Sequence, residues 1–177
     1  MGPLTLAHRA FFVFVSGFTA WVGYIGFLTP ADILRALPWP LPPMHARFVA
    51  SLYLSATLFL LLAAAMRRRA QVRAILVISF VWTGWLLLIT VLHWSTFDLT
   101  HRPVWFWLFA YLTFPLAAAW LGGRDRWLRP AADVHRDPAG GRWPFVLLAL
   151  IGGALALTGL ACFIVPEQVA TVWPWTI

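Results

Sequence analysis

Charge is what this sequence has least of. Only 11% of its 177 residues are Asp, Glu, Lys or Arg, where a soluble domain carries about 25%. Lysine is absent, so all 13 basic side chains are arginine, and acidic residues number six. An all-arginine basic set is what a GC-rich genome encodes, which points to a bacterial source. A single cysteine, Cys162, excludes an internal disulfide and reads as a small buried residue in an apolar run. No HExxH, CxxC or CxxCH motif is present, which removes the usual zinc, thiol-redox and covalent-haem signatures. Charge is missing altogether from the interiors of the long apolar runs. Proton relays, ion-coupled carriers and charged-substrate pores ordinarily keep an ionisable group within the bilayer. Hydrolysis and phosphoryl transfer need acids, bases or a metal. The sequence therefore argues against all of these classes.

What is present is apolar and aromatic. Hydrophobic residues make up 62% of the chain, aromatics 16%, with 12 tryptophans, and mean hydropathy is +0.80. Five runs stand out: Ala10 to Thr29, Phe48 to Met66, Ala74 to Leu92, Val104 to Leu121 and Phe145 to Val165. Each is long enough to cross about 30 Å of hydrocarbon at about 1.5 Å per residue. They are continuous rather than alternating, which excludes a β-barrel, and helices are then the remaining way to satisfy the backbone in lipid. The first run follows His8 and Arg9, but its core is too long for a signal peptide and no A-x-A site closes it. The expected fold is all-α, a single membrane domain of five transmembrane helices.

Arginine placement gives the orientation. Arg9 precedes the first run; Arg67, Arg68, Arg69 and Arg73 lie between the second and third; Arg124, Arg126, Arg129, Arg136 and Arg142 lie between the fourth and fifth. With five spans these all fall on one side, and only Arg35, Arg47 and Arg102 fall on the other. The positive-inside rule puts the arginine-rich side in the cytoplasm, N-terminus in and C-terminus out, in the inner membrane of the cell. The net charge of +7 is thereby a topology signal, and no nucleic-acid partner is expected. Trp39, Trp94, Trp105, Trp107, Trp173 and Trp175 fall at the outer boundary, and Trp120, Trp127 and Trp143 at the inner one, as interfacial belts require. Trp21, Trp82 and Trp85 lie deeper and are expected to face other helices or a hydrophobic ligand.

The chain also matches itself at an offset of 136 residues: 10–41 aligns with 146–177. Phe27-Leu28-Thr29-Pro30 and Pro38-Trp39 recur as Phe163-Ile164-Val165-Pro166 and Pro174-Trp175, without a gap. Ser16, Gly17, Ala20 and Gly23 align with Gly152, Gly153, Ala156 and Gly159. Such a repeat is parallel, with a first four-helix unit over about 1–130 and a second unit represented by its first helix. Ser16, Ala20 and Gly23, and likewise Gly152, Ala156 and Gly159, share one helix face, and small faces let membrane helices approach closely. Equivalent packing contacts are expected from both. After the first run, Thr29-Pro30-Ala31-Asp32 reads as a helix start with a Thr cap. It opens a short helix lying in the outer interface with Ile33, Leu34 and Leu37 on its apolar side. Pro166-Glu167 should begin a second one.

Candidate chemistry is sparse. His45, His93 and His101, with Asp32 and Asp98, gather on the outer side, and neutral imidazole is the commonest metal ligand. Their spacing fits no ligand motif, and helix capping at the interface explains them as well, so no metal is assigned. Trp82 and Trp85 join the three histidines as candidates for an unidentified cofactor or apolar ligand. Arg67, Arg68, Arg69 and Arg73 suit anionic lipid headgroups. Pro115 should kink the fourth span. Three functions fit. The first is a non-catalytic subunit or scaffold of a larger membrane complex of photosynthetic or respiratory type, with lipids and other membrane subunits as partners. The second is a binder or carrier of lipid, quinone, carotenoid or tetrapyrrole. The third is a membrane enzyme using the outer His/Asp cluster. The first demands the least chemistry beyond what the residues show.

Overall fold

The computed structural model describes residues 2–124, 146, 150–154, 156–157, 160 and 164–165. The chain divides into two compact units, Met1–Pro130 and Ala131–Ile177. The first holds four helices: α1, Leu6–Leu28; α2, Pro43–Ala65; α3, Arg69–Leu92; and α4, Arg102–Arg124. All four are long and apolar enough to cross a membrane. In the second unit, the described residues 146, 150–154, 156–157, 160 and 164 are helical. Among the described residues there is no β-strand, only an isolated bridge. Gly159, Pro166-Glu167, Trp173 and Trp175 lie outside the described residues.

Each helix begins ahead of its apolar run, taking in His8 and Arg9, His45 and Arg47, Arg69 and Arg73, and Arg102 near its start. Pro43 occupies the first position of α2, where its missing N–H costs nothing. The turn from α2 into α3 is only Met66, Arg67 and Arg68, and the Arg68 N–H donates to the Gln71 side chain at 3.0 Å. Pro115 sits inside α4, buried, without ending it.

The buried stripe of α1 runs through His8, Phe12, Val15, Thr19, Val22 and Gly26, a spacing of four and three that keeps one seam inward. At its far end this seam meets α2 closely. A Cβ on Gly23 would lie 2.7 Å from the Leu54 side chain, and one on Gly26 would lie 2.8 Å from the Ala50 Cβ and 3.1 Å from the Ala46 carbonyl oxygen. Ser16 and Gly23 share this seam, while Ala20 is only half-buried. The close contact with α2 runs through Gly23 and Gly26. In the second unit Gly152 and Ala156 are exposed, and a Cβ on Gly152 meets nothing within 4 Å.

α1 meets α4 differently, through rings. Phe18 stacks on Phe106 with centroids 4.6 Å apart and meets Phe114 edge-on at 5.4 Å; Phe14 meets Phe109 at 6.4 Å. Such pairs favour offset or T-shaped geometry and hold the axes farther apart than glycine does. α3 packs chiefly on α4.

Thr29 and Pro30 end α1, and a short 3-10 helix, Pro30–Arg35, follows. Ile33, Ala36 and Leu37 are buried, whereas Leu34 is exposed. Thr29 does not cap this helix. Its hydroxyl donates back to the Ile25 carbonyl at 3.2 Å, because the chain leaves α1 in a conformation that turns the side chain toward the preceding turn.

Gly26→Ala is expected to lower stability by about 1–3 kcal/mol. Gly23→Ala should cost less, because its nearest neighbour is the Leu54 side chain, which can turn aside, whereas the Ala50 Cβ facing Gly26 is fixed to its backbone. Gly17→Ala, with open space at its Cβ, should be neutral or slightly stabilising. Reversible unfolding in mixed micelles orders the three.

Candidate functional site

Polar side chains join the helices of the first unit to one another. The Thr19 and Thr57 hydroxyls are 2.8 Å apart, joining α1 to α2, and the Tyr53 and Tyr111 hydroxyls are 2.6 Å apart, joining α2 to α4. The Trp107 indole donates to the Thr90 hydroxyl at 2.9 Å, and Thr90 donates to the Leu86 carbonyl at 2.7 Å, joining α4 to α3. Trp107 is buried and packs between Tyr111, at 4.1 Å, and Trp39, at 4.7 Å, the latter reaching in from the loop before α2. This corrects its assignment to the outer belt. Trp105, two residues away and hence on the other side of α4, is exposed and donates to the Leu99 carbonyl at 2.8 Å, as a belt residue does. The interior between α1, α2 and α4 is filled by the protein's own rings.

At the arginine-rich end, the Arg9 guanidinium donates to the Ala64 and Met66 carbonyls at 2.5 and 3.1 Å. It satisfies carbonyls that the last turn of α2 leaves without partners, and places positive charge at the negative end of the helix dipole. Residues 2–4 bridge to the α2–α3 turn: Leu4 N–H donates to Arg67 O at 2.9 Å and Arg69 N–H to Gly2 O at 3.3 Å. The Arg69 Nε donates to Pro3 O at 3.0 Å. Arg67 and Arg68 are exposed, and Arg69 and Arg73 half-buried. His8 is buried, with its Nδ1 2.6 Å from the Thr5 hydroxyl. The sequence reading missed both tasks, Arg9 as a cap and the N-terminal bridge. Arg9 ahead of an apolar run looks like topology alone until α2 is folded beside it.

At the opposite end the three candidate imidazoles stay apart. His93 Nδ1 lies 3.0 Å from the Ile89 carbonyl, closing the last turn of α3. His101 Nε2 lies 3.0 Å from the Leu34 carbonyl, tying the α3–α4 turn to the 3-10 helix. A carbonyl only accepts, so each of these nitrogens carries the proton. His45 is half-buried in the first turn of α2, its Nδ1 without a partner. Asp32 pairs with Arg35 at 3.5 Å on the surface. Asp98 accepts from the Thr100 hydroxyl at 2.7 Å and the Thr100 N–H at 2.9 Å. Those bonds hold its carboxyl below the ordinary value. A depressed carboxyl keeps this turn formed at neutral pH and releases it only as pH falls through that lowered value. Among the described residues no three His, Cys, Asp or Glu side chains come together.

Trp82 and Trp85 are 58% and 57% exposed and Trp21 is 49% exposed. They face away from the four described helices of the first unit. α3 turns its Thr83 and Thr90 side inward, and the tryptophans fall on the opposite arc. The chain matches no family model, no curated protein sequence and no solved structure. The fold defines a class, an all-helical bundle whose first unit carries four candidate membrane-spanning helices.

Tyr53→Phe is expected to cost about 1 kcal/mol, because it leaves the buried Tyr111 hydroxyl without its partner. Tyr53→Phe with Tyr111→Phe should cost no more than either single change. A double-mutant cycle in mixed micelles reads the coupling.

Proposed function

We propose that this chain is a non-catalytic subunit or scaffold of a larger complex, of photosynthetic or respiratory type, in a bacterial cytoplasmic membrane. One observation carries the reading: Trp82 and Trp85 are exposed in the middle of a span. α3 has 24 residues, about 36 Å, and Trp82 lies roughly 20 Å along it. That is hydrocarbon depth, not the headgroup level where lipid-facing tryptophan is at home. Neither indole N–H has a hydrogen-bond partner among the described residues, and acyl chains offer no acceptor. A helix of another subunit offers both ring contacts and an acceptor. The backbone bonds of His93 and His101 give those rings a structural task, which favours this reading over an enzyme. The ring-filled interior favours it over a carrier with an internal site.

The proposal includes five spans, N-terminus inside and C-terminus outside, with the 3-10 helix at the outer interface. The arginine distribution supports the orientation, because Arg9, the α2–α3 turn and the Arg124–Arg142 segment all fall on the side of the N-terminus, and the apolar run from Phe145 to Val165 supplies the fifth span. The Arg67–Arg73 cluster then meets the anionic inner leaflet.

Native purification in mild detergent should yield the chain with stoichiometric partners. Trp82→Ala with Trp85→Ala should release them while leaving the thermal transition unchanged. Recovery of the wild type free of other subunits from gently solubilised membranes would refute the proposal. In a Cys162→Ser background, Ser95→Cys should react with a membrane-impermeant thiol reagent in intact cells, and Arg68→Cys should not.

A further inference from the structure

Only three arginines depart from the positive-inside pattern, Arg35, Arg47 and Arg102. Two of them, far apart in sequence, meet at one place. Arg35 and Arg102, with Pro103, line two adjoining hollows, of about 400 and 310 Å³, at the α4 start. His101 lines the first; Trp21 and Phe106 line the second. Together they make one open groove, charged at its rim and aromatic below. Phe106 lies about 6 Å below the start of α4, and Trp21 about 10 Å below the end of α1. The groove therefore descends from headgroup level into hydrocarbon.

The charge at the rim is available. Arg102 is exposed and forms no ion pair among the described residues. Arg35 reaches one carboxylate, Asp32, at 3.5 Å, with its side chain 73% exposed. Neither Asp32 nor Asp98 lines the groove. His101, fixed by its bond to Leu34, ties the 3-10 helix carrying Arg35 to the turn carrying Arg102, so both guanidiniums are held on elements that are joined.

We propose that this groove binds one anionic phospholipid, its phosphate between Arg35 and Arg102 and one acyl chain along Trp21 and Phe106. Guanidinium forks suit phosphate oxygens, and exposed aromatic rings beneath them suit a hydrocarbon chain. A free phosphate would engage the rim but leave the rings uncovered, so the occupant is an amphiphile. The site lies at the opposite end of the bundle from the Arg67–Arg73 cluster and does not depend on the subunit proposal.

Native mass spectrometry of the full chain in detergent, titrated with phosphatidylglycerol or phosphatidylcholine, tests this. Wild type should retain phosphatidylglycerol preferentially. Arg35→Gln with Arg102→Gln should weaken the affected binding step by about ten-fold or more, and Arg47→Gln should leave it unchanged. Millimolar inorganic phosphate should not displace the lipid. Unchanged lipid retention in the folded double variant, an equal effect of Arg47→Gln, or displacement by inorganic phosphate would each overturn the proposal. Wild-type chain photolysed with a phosphatidylglycerol bearing a diazirine in its acyl chain provides a test that needs no variant. Adducts should map to peptides containing Trp21 and Phe106; adducts confined to other peptides would overturn it as well.

Discussion

The close approach of α1 and α2 at Gly23 and Gly26 is the constraint on which the rest of the bundle depends. Nothing apolar drives helices together in a medium as apolar as their side chains. Contact must then come from surfaces that fit, and here the fit is a seam without side chains set against Ala46, Ala50 and Leu54. Pressing the backbones together at one end brings Thr19 within reach of Thr57. It also carries the α1–α2 connection, with Ile33, Leu37 and Trp39, over the end of the bundle, where Trp39 meets Trp107.

The second organising fact is that polar groups inside the bundle join different helices. Thr19–Thr57, Tyr53–Tyr111 and Trp107–Thr90 link α1 to α2, α2 to α4 and α4 to α3. Each bond is modest, about 1 kcal/mol or less. Its larger effect is on register, because a shift of one residue would separate the hydroxyls in a medium with no water to replace them. The rings around them, Phe18, Trp107 and Tyr111, fill the space that the wider α1–α4 separation leaves.

The two ends of the bundle treat arginine differently. At the end holding the N-terminus, Arg9 and Arg69 donate to backbone carbonyls across the α2–α3 turn. Their charge completes the fold at that end. At the other end, His93 and His101 do the capping and tying, and Arg35 and Arg102 remain at the surface beside a groove. The histidines thus anchor the loops that present the arginines.

Helical spans were legible because lipid leaves the backbone no alternative: the four apolar runs from Ala10 to Leu121 each fall on a helix, with only the last residues of the first two, Thr29 and Met66, just beyond its end. A close approach at Gly23 was in keeping with its place in the sequence, since small residues at helical spacing carry their own geometric meaning. The neighbouring choices were not legible. Ala20 and Gly26 differ by little in sequence, yet only Gly26 meets a neighbouring backbone. Trp105 and Trp107 are alike in type and both stand near a span end, but a rotation of about 200° separates them, and which one faces inward depends on where α3 places Thr90. By itself, then, the sequence determined what each segment must be, because the demand for internal hydrogen bonds acts locally, turn by turn. Only the tertiary structure decided which face each helix turns inward, which arginine caps a neighbour and which pair meets at a groove. Those outcomes depend on partners supplied by other helices, and no spacing along a single segment encodes them.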